Sequence, residues 1–185
     1  GTLYAPGIPL SVDRDISVHW RSTFVEEVPY RSILQDDLFA IVLQNAVYQA
    51  NVAIPDVNES ILREAPQDYP LWIEERYLKL PETLPQRVYD LAEEIVSGEA
   101  TAYDQAYAIQ SYVRAFPYTL ALPDPPLDTD IVDYFLFELQ KGYCDYYASS
   151  MAVLARAAGL PSRVVRFMIV RKIAILSRKG TRIPG

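Results

Sequence analysis

One run of the chain leaves little conformational choice. CDYYASSMAVLARAAG, residues 144–159, contains no proline, is rich in alanine, and is bracketed by Gly142 on one side and by Gly159 and Pro161 on the other. Met151 and Leu154 fall at helical spacing inside it, Gly159 reads as a stop, and Pro161 cannot extend a helix. The run is therefore expected to be a helix that begins at Cys144, the only cysteine in the chain. Gly142, lacking a Cβ, permits a tight turn and close approach to the backbone just ahead of it.

One cysteine excludes an intramolecular disulfide. One cysteine with one histidine, His19, cannot supply the ligands of a structural zinc site. Half of the 185 residues are apolar, so an ordinary hydrophobic core must hold the fold. The longest apolar runs, FAIVL and VVRFMIV, fall far short of the roughly 20 residues that span a bilayer. With no signal-peptide pattern at its start, this span is expected to be soluble and to make no membrane contact of its own. A net charge of −7 argues against general nucleic-acid binding, which needs a basic face to neutralise phosphates. The charge is uneven, however: residues 166–185 carry six cations and no anion.

Residues 1–65 read mainly as antiparallel strands. SVDRDISVHW alternates in part, FAIVLQNAVYQANVAI is β-rich in its apolar content, and prolines punctuate between them. In 65–88, Pro66, Pro70, Pro81 and Pro85 leave room for one short helix around Trp72–Tyr77. QRVYDLAEEIVS (86–97) puts Val88, Leu91, Ala92, Ile95 and Val96 on one helical face, with Gly98 as cap. A second helix follows in which Thr101 caps the start near Asp104, and Ala106, Ile109, Tyr112 and Val113 form the buried stripe. The segment 117–130 is extended and proline-rich, and DIVDYFLFEL (130–139) returns to a short apolar helix or turn.

A thiol at a helix start sits among unpaired N–H groups at the positive end of the macrodipole, which favours the nucleophilic thiolate. The same N–H groups can hold an oxyanion. The Asp145 carboxylate works against the thiolate, so an activating histidine is still required. The competing reading is that Cys144 is a small buried hydrophobe, the usual fate of a lone cysteine. Position alone does not choose between them.

The surrounding residues are more specific. GYCDYYASSMAVLARAAGLPSRVV resembles the nucleophile motif of the transglutaminase-like superfamily through Gly142, Cys144, Tyr147, Ala148, Arg156, Ala157, Gly159, Leu160, Pro161 and Arg163. The resemblance extends from about Ala65 to Val165 and is strongest to a bacterial branch carried by membrane-anchored proteins. It implies an α+β, papain-like core in which the cysteine helix packs on an antiparallel sheet, with Cys144 catalytic and Gly142, Tyr143 and Asp145 as near-site or oxyanion candidates. It also implies a protein or peptide substrate and an extracytoplasmic location, while no cofactor or metal follows from the sequence. The activity implied is acyl transfer or hydrolysis at a glutamine carboxamide or peptide bond.

The family pattern then calls for a histidine followed by an aromatic residue, and later an aspartate. Residues 146–185 contain no histidine and no acid. The expected organisation is thus a β-rich region (1–65), the first half of a transglutaminase-like core (66–165), and an atypical basic tail (166–185) in which the core is truncated or replaced. That makes this chain an expected inactive form of an acyl-transfer domain, the alternative being a non-catalytic binding or scaffold module. His19, outside the resemblance and beside Trp20, is expected to be structural or simply exposed. Neighbouring carboxylates such as Glu26/Glu27, Asp36/Asp37 and Glu93/Glu94 diverge in direction and read as solvated surface. The tyrosines around Cys144 read as core with hydrogen-bonded hydroxyls or as cleft lining.

Overall fold

The computed structural model describes residues 8–21, 37–43, 48–54 and 56–164. The N-terminal part is a two-stranded antiparallel ribbon with a joint in the middle. Strand β1 (Ile8–Val12) pairs with β4 (Ala50–Ala53), and β2 (Ile16–Arg21) pairs with β3 (Asp37–Leu43). Val12 faces Ala50 and Ile16 faces Leu43, so the joint sets three residues of one arm against six of the other. Asp13 holds it from both sides: its N–H donates to Gln49 C=O (3.0 Å), and its carboxylate accepts the Gln49 N–H (2.8 Å). Across β1 and β4, Asn51 Nδ2 donates to Ser11 Oγ at 2.8 Å. The expected antiparallel strands are present, but the β region ends before residue 65.

Helix α1 (Glu59–Arg63) falls at the end of the region expected to be mainly strand. Its signals are local and short: the Asn58 side chain accepts from Ile61 N–H, Glu59 lies in the first turn and Arg63 in the last. Arg63 then reaches across to Asp104 (2.9 Å), which docks α1 on α4. Helix α2 (Leu71–Tyr77) lies between the prolines as expected and buries Tyr77.

Three helices make the body. Helix α3 (Gln86–Val96) fully buries Val88 and Ala92, and Gly98 follows with φ +90°, a left-handed conformation that favours glycine. Helix α4 (Ala102–Arg114) is capped by Thr101, whose hydroxyl accepts the Asp104 N–H, and buries Ile109 and Val113. Helix α6 (Cys144–Ala157) packs against both and buries Leu154 and Ala155 among their stripes. Between α4 and α6 the chain runs extended, with Tyr118, Leu120 and Leu127 exposed. It then forms α5 (Ile131–Tyr134) and a single π-helical turn (Phe135–Leu139) that ends on a left-handed Gln140. Phe135 and Leu136 lie wholly in the core. The short apolar element expected there is thus α-helical first and π-helical after.

The mixed helix and antiparallel strand architecture agrees with the expected α+β class. The basic tail expected over residues 166–185 lies outside the described residues.

Candidate active site

Cys144 is the first residue of α6, and its side chain is exposed. That removes the reading of a small buried hydrophobe. Being first in the helix, its N–H has no intrahelical acceptor and stands at the positive end of the dipole. Tyr143 is the N-cap residue, extended at φ −124°, ψ −177°; its side chain makes no cap, while its carbonyl accepts from Tyr146 and Tyr147 N–H. Asp145 contacts the thiol directly, with Sγ 3.8 Å from Oδ1. Asp145 thus stands against the thiol, Tyr143 immediately precedes it, and Gly142 sits just ahead of them.

Gly142 is held from both sides. Its N–H donates to Pro117 C=O (3.1 Å), and its carbonyl accepts the Thr119 N–H (2.7 Å), forming an isolated parallel bridge at Tyr118. The close approach that its missing Cβ allows is to protein. A Cβ there would stand 3.1 Å from Phe135 Cε2, 3.1 Å from Tyr146 Cβ and 3.2 Å from Tyr146 Cγ. The turn that presents the thiol is therefore wedged between the π-turn and the first turn of α6.

An aromatic cluster backs that turn. Phe135 is fully buried and meets Phe116, Tyr146 and Tyr147 at ring-centroid distances of 5.2, 5.5 and 5.4 Å. Tyr147 Oη donates to Phe116 C=O at 2.7 Å, and its ring lies 6.2 Å from that of Tyr118. Burial raises both the Tyr146 and Tyr147 phenols above the ordinary tyrosine range, with Tyr143 acting secondarily on the first and Tyr118 on the second. Core packing with a hydrogen-bonded hydroxyl thus describes Tyr147, while Tyr118 is exposed beside the thiol-bearing turn. The roles of Phe116, Pro117 and Thr119 leave no local sign in the sequence, because their partners Tyr147 and Gly142 lie more than twenty residues away.

The far end of α6 explains much of the remaining motif. Leu160 N–H donates to Ala155 C=O (2.8 Å) and Gly159 N–H to Arg156 C=O (3.0 Å), a Schellman closure with Gly159 at φ +81° and Leu160 buried. Arg156 donates twice to Ser162 C=O (3.0 and 2.7 Å) and once to Lys79 C=O (2.8 Å). It fastens the helix end to the segment after it and to the connector between α2 and α3.

The backbone of His19 lies in β2 opposite Ala40, but its side chain lies outside the described residues, so no geometry links it to Cys144. Glu93 and Glu94 are exposed, as expected of solvated carboxylates; Glu26, Glu27 and Asp36 lie outside the described residues. Among the described residues no group of three or more His, Cys, Asp or Glu side chains could hold a metal ion, and no helix is long and apolar enough to cross a membrane.

Residues 89–177 match the family model described as the transglutaminase-like superfamily. The chain is 42% identical over 95 residues to the uncharacterized protein YebA of Bacillus subtilis (50% of this chain, 13% of that protein). It is 37% identical over 90 residues to a protein-glutamine gamma-glutamyltransferase of Pseudomonas aeruginosa (49% of this chain, 14% of that protein). It therefore spans only about one seventh of the length of these curated relatives. Among solved structures it resembles the periplasmic domain of TgpA from Pseudomonas aeruginosa bound to ethylmercury. The TM-score is 0.55 with 25% identity, covering 86% of this chain and 51% of that one.

Proposed function

We propose, from the match of residues 89–177 to the transglutaminase-like superfamily, that the chain holds the nucleophile of a thiol-dependent acyl transfer or hydrolysis. The carrying observation is the exposed thiol of Cys144 at the start of α6, on a turn whose Gly142 is bonded on both sides. The thiolate adds to a glutamine carboxamide or peptide carbonyl, and the Cys144 N–H faces the oxyanion that forms. The C–N bond then breaks, nitrogen leaves with a proton as ammonia or an amine, and a thioester remains on Cys144. An incoming amine converts it to a new amide, or water converts it to a carboxylate. The name of the Pseudomonas aeruginosa relative supports the carboxamide as acyl donor. The periplasmic origin of the TgpA structure supports an extracytoplasmic setting.

Residues 146–185 offer neither a histidine nor an acid. On this reading the span supplies the nucleophile and not the base that would sustain turnover, so it is inactive by itself. The same observation favours a second reading, a binding module that retains the fold and recognises a protein or peptide without chemistry.

Alkylation of Cys144 by iodoacetamide separates them. The nucleophile reading expects faster labelling in the native chain than in the urea-unfolded one, slowed by glutamine-containing peptides. Equal rates with no protection sink it. Peptide binding that is unchanged in Cys144→Ser, with an unreactive thiol in the wild type, establishes the binding module instead.

A further inference from the structure

The hydrogen bonds around Gly142 form a chain that begins on α6 itself and returns to its first residue. Tyr147, one helical turn after Cys144, donates its phenol to Phe116 C=O at 2.7 Å. Phe116 leads directly into Pro117 and Thr119, whose carbonyl and N–H hold Gly142 at 3.1 and 2.7 Å. Gly142 lies two residues before the thiol. The Tyr147 ring is fixed independently, edge-on to Phe135 at 5.4 Å, and Phe135 is fully buried. Of the groups on segment 116–119, the Phe116 carbonyl is thus anchored to the core through one hydroxyl.

We propose that Tyr147 is a positioning residue for Cys144: its hydroxyl fixes segment 116–119, which in turn fixes the Gly142 turn and the place of the thiol. The inference rests on Cys144 being the nucleophile, but the physical link is independent of any turnover. No side chain of segment 116–119 needs to touch the reacting atoms. The segment's backbone carries the constraint, and the phenol supplies it at the cost of a single buried hydrogen bond.

The test is Tyr147→Phe, which keeps the ring contacts and deletes only the hydroxyl. Two quantities are read: hydrogen exchange at the Gly142 and Thr119 amides, and the iodoacetamide alkylation rate of Cys144. Exchange is expected to quicken by about tenfold and alkylation to slow by about threefold, consistent with losing one modest hydrogen bond. Amides in α3 stay protected. Ser162→Ala is the control, since it removes a comparable bond to Ala152 C=O (2.8 Å) at the far end of the same helix. It should leave both readouts unchanged.

Thr119→Pro breaks the tether from its other end by removing the N–H donor. Combined with Tyr147→Phe it should slow alkylation no more than either change alone. Unchanged exchange at Gly142 and Thr119 in Tyr147→Phe overturns the proposal, as does an equal alkylation change in Ser162→Ala or strict additivity in the double variant. Because alkylation reports the thiol itself, absence of acyl transfer would count against the enzymatic reading and leave this result standing.

Discussion

The Arg87 guanidinium grips the Asp133 carboxylate through two parallel bonds, Nε to Oδ1 at 2.6 Å and Nη2 to Oδ2 at 2.5 Å. The pair ties α3 to α5 across 46 residues of sequence. Asp133 is buried, whereas Arg87 is half-exposed, stacked over the Phe137 ring and 3.6 Å from Glu138. Arg87→Met strands a buried carboxylate and should lower the melting temperature by several degrees. Arg87→Met with Asp133→Leu should recover most of the loss, because an apolar pair removes the uncompensated charge. Thermal unfolding of the three proteins checks the order.

Gly142→Ala places a methyl group 3.1 Å from both Phe135 and Tyr146. Phe135 has no room to retreat, and the Tyr146 Cβ is fixed by the helix backbone. The expected cost is about 1–3 kcal/mol of stability, the range of overpacked cores. Urea unfolding measures it, and a neutral result would mean that the turn is softer than its contacts indicate.

Asp104 gives the acid limb of the stability curve a specific origin. The Thr101 hydroxyl at 2.7 Å and then the Arg63 guanidinium hold its carboxyl below the ordinary aspartate range. A depressed folded value means stability that is present above the unfolded value near pH 3.9 and lost as pH falls through the folded one. Asp104→Asn should flatten this part of the curve below about pH 4, and salt should weaken the Arg63 share because the pair is solvent-facing. Urea midpoints against pH, with and without added salt, read both effects.

Arg156→Lys keeps the charge but loses the planar fork that serves Ser162 and Lys79 carbonyls together. A loss of about 2 kcal/mol is expected, with Cys144 alkylation unchanged because the damage is confined to the other end of α6. A variant as stable as wild type would show that the Schellman closure alone fixes the helix end.

What could be read from the sequence was what is encoded locally. The start and stop of α6, the capping of α4 by Thr101 and the apolar stripes of α3 and α4 each depend on residues within a few positions of one another. The α1 helix was missed although Asn58, Glu59 and Arg63 carry its signals, because five residues in a β-rich context offer no periodicity to detect. The π-turn was also out of reach, since Phe135 and Leu136 look like any apolar pair until the core claims both. At the site, Cys144 and its neighbours were legible as a motif. The tether through Phe116, Pro117, Thr119 and Tyr147 was not, because a phenol meeting a carbonyl 31 residues away leaves no trace in spacing.

The proline-rich excursion between Thr119 and Asp130 is pinned at both ends, by Thr119 on Gly142 and by Asp130 capping the Val132 and Asp133 N–H groups. Leu120 and Leu127 stand in solvent, while Leu122 is half-buried. Doubling the length of such a loop costs only about 0.6 kcal/mol in closure entropy. The fold thus contains, near its thiol-bearing turn, a graftable stretch where foreign sequence of varied length can be spliced in while Cys144 keeps its address.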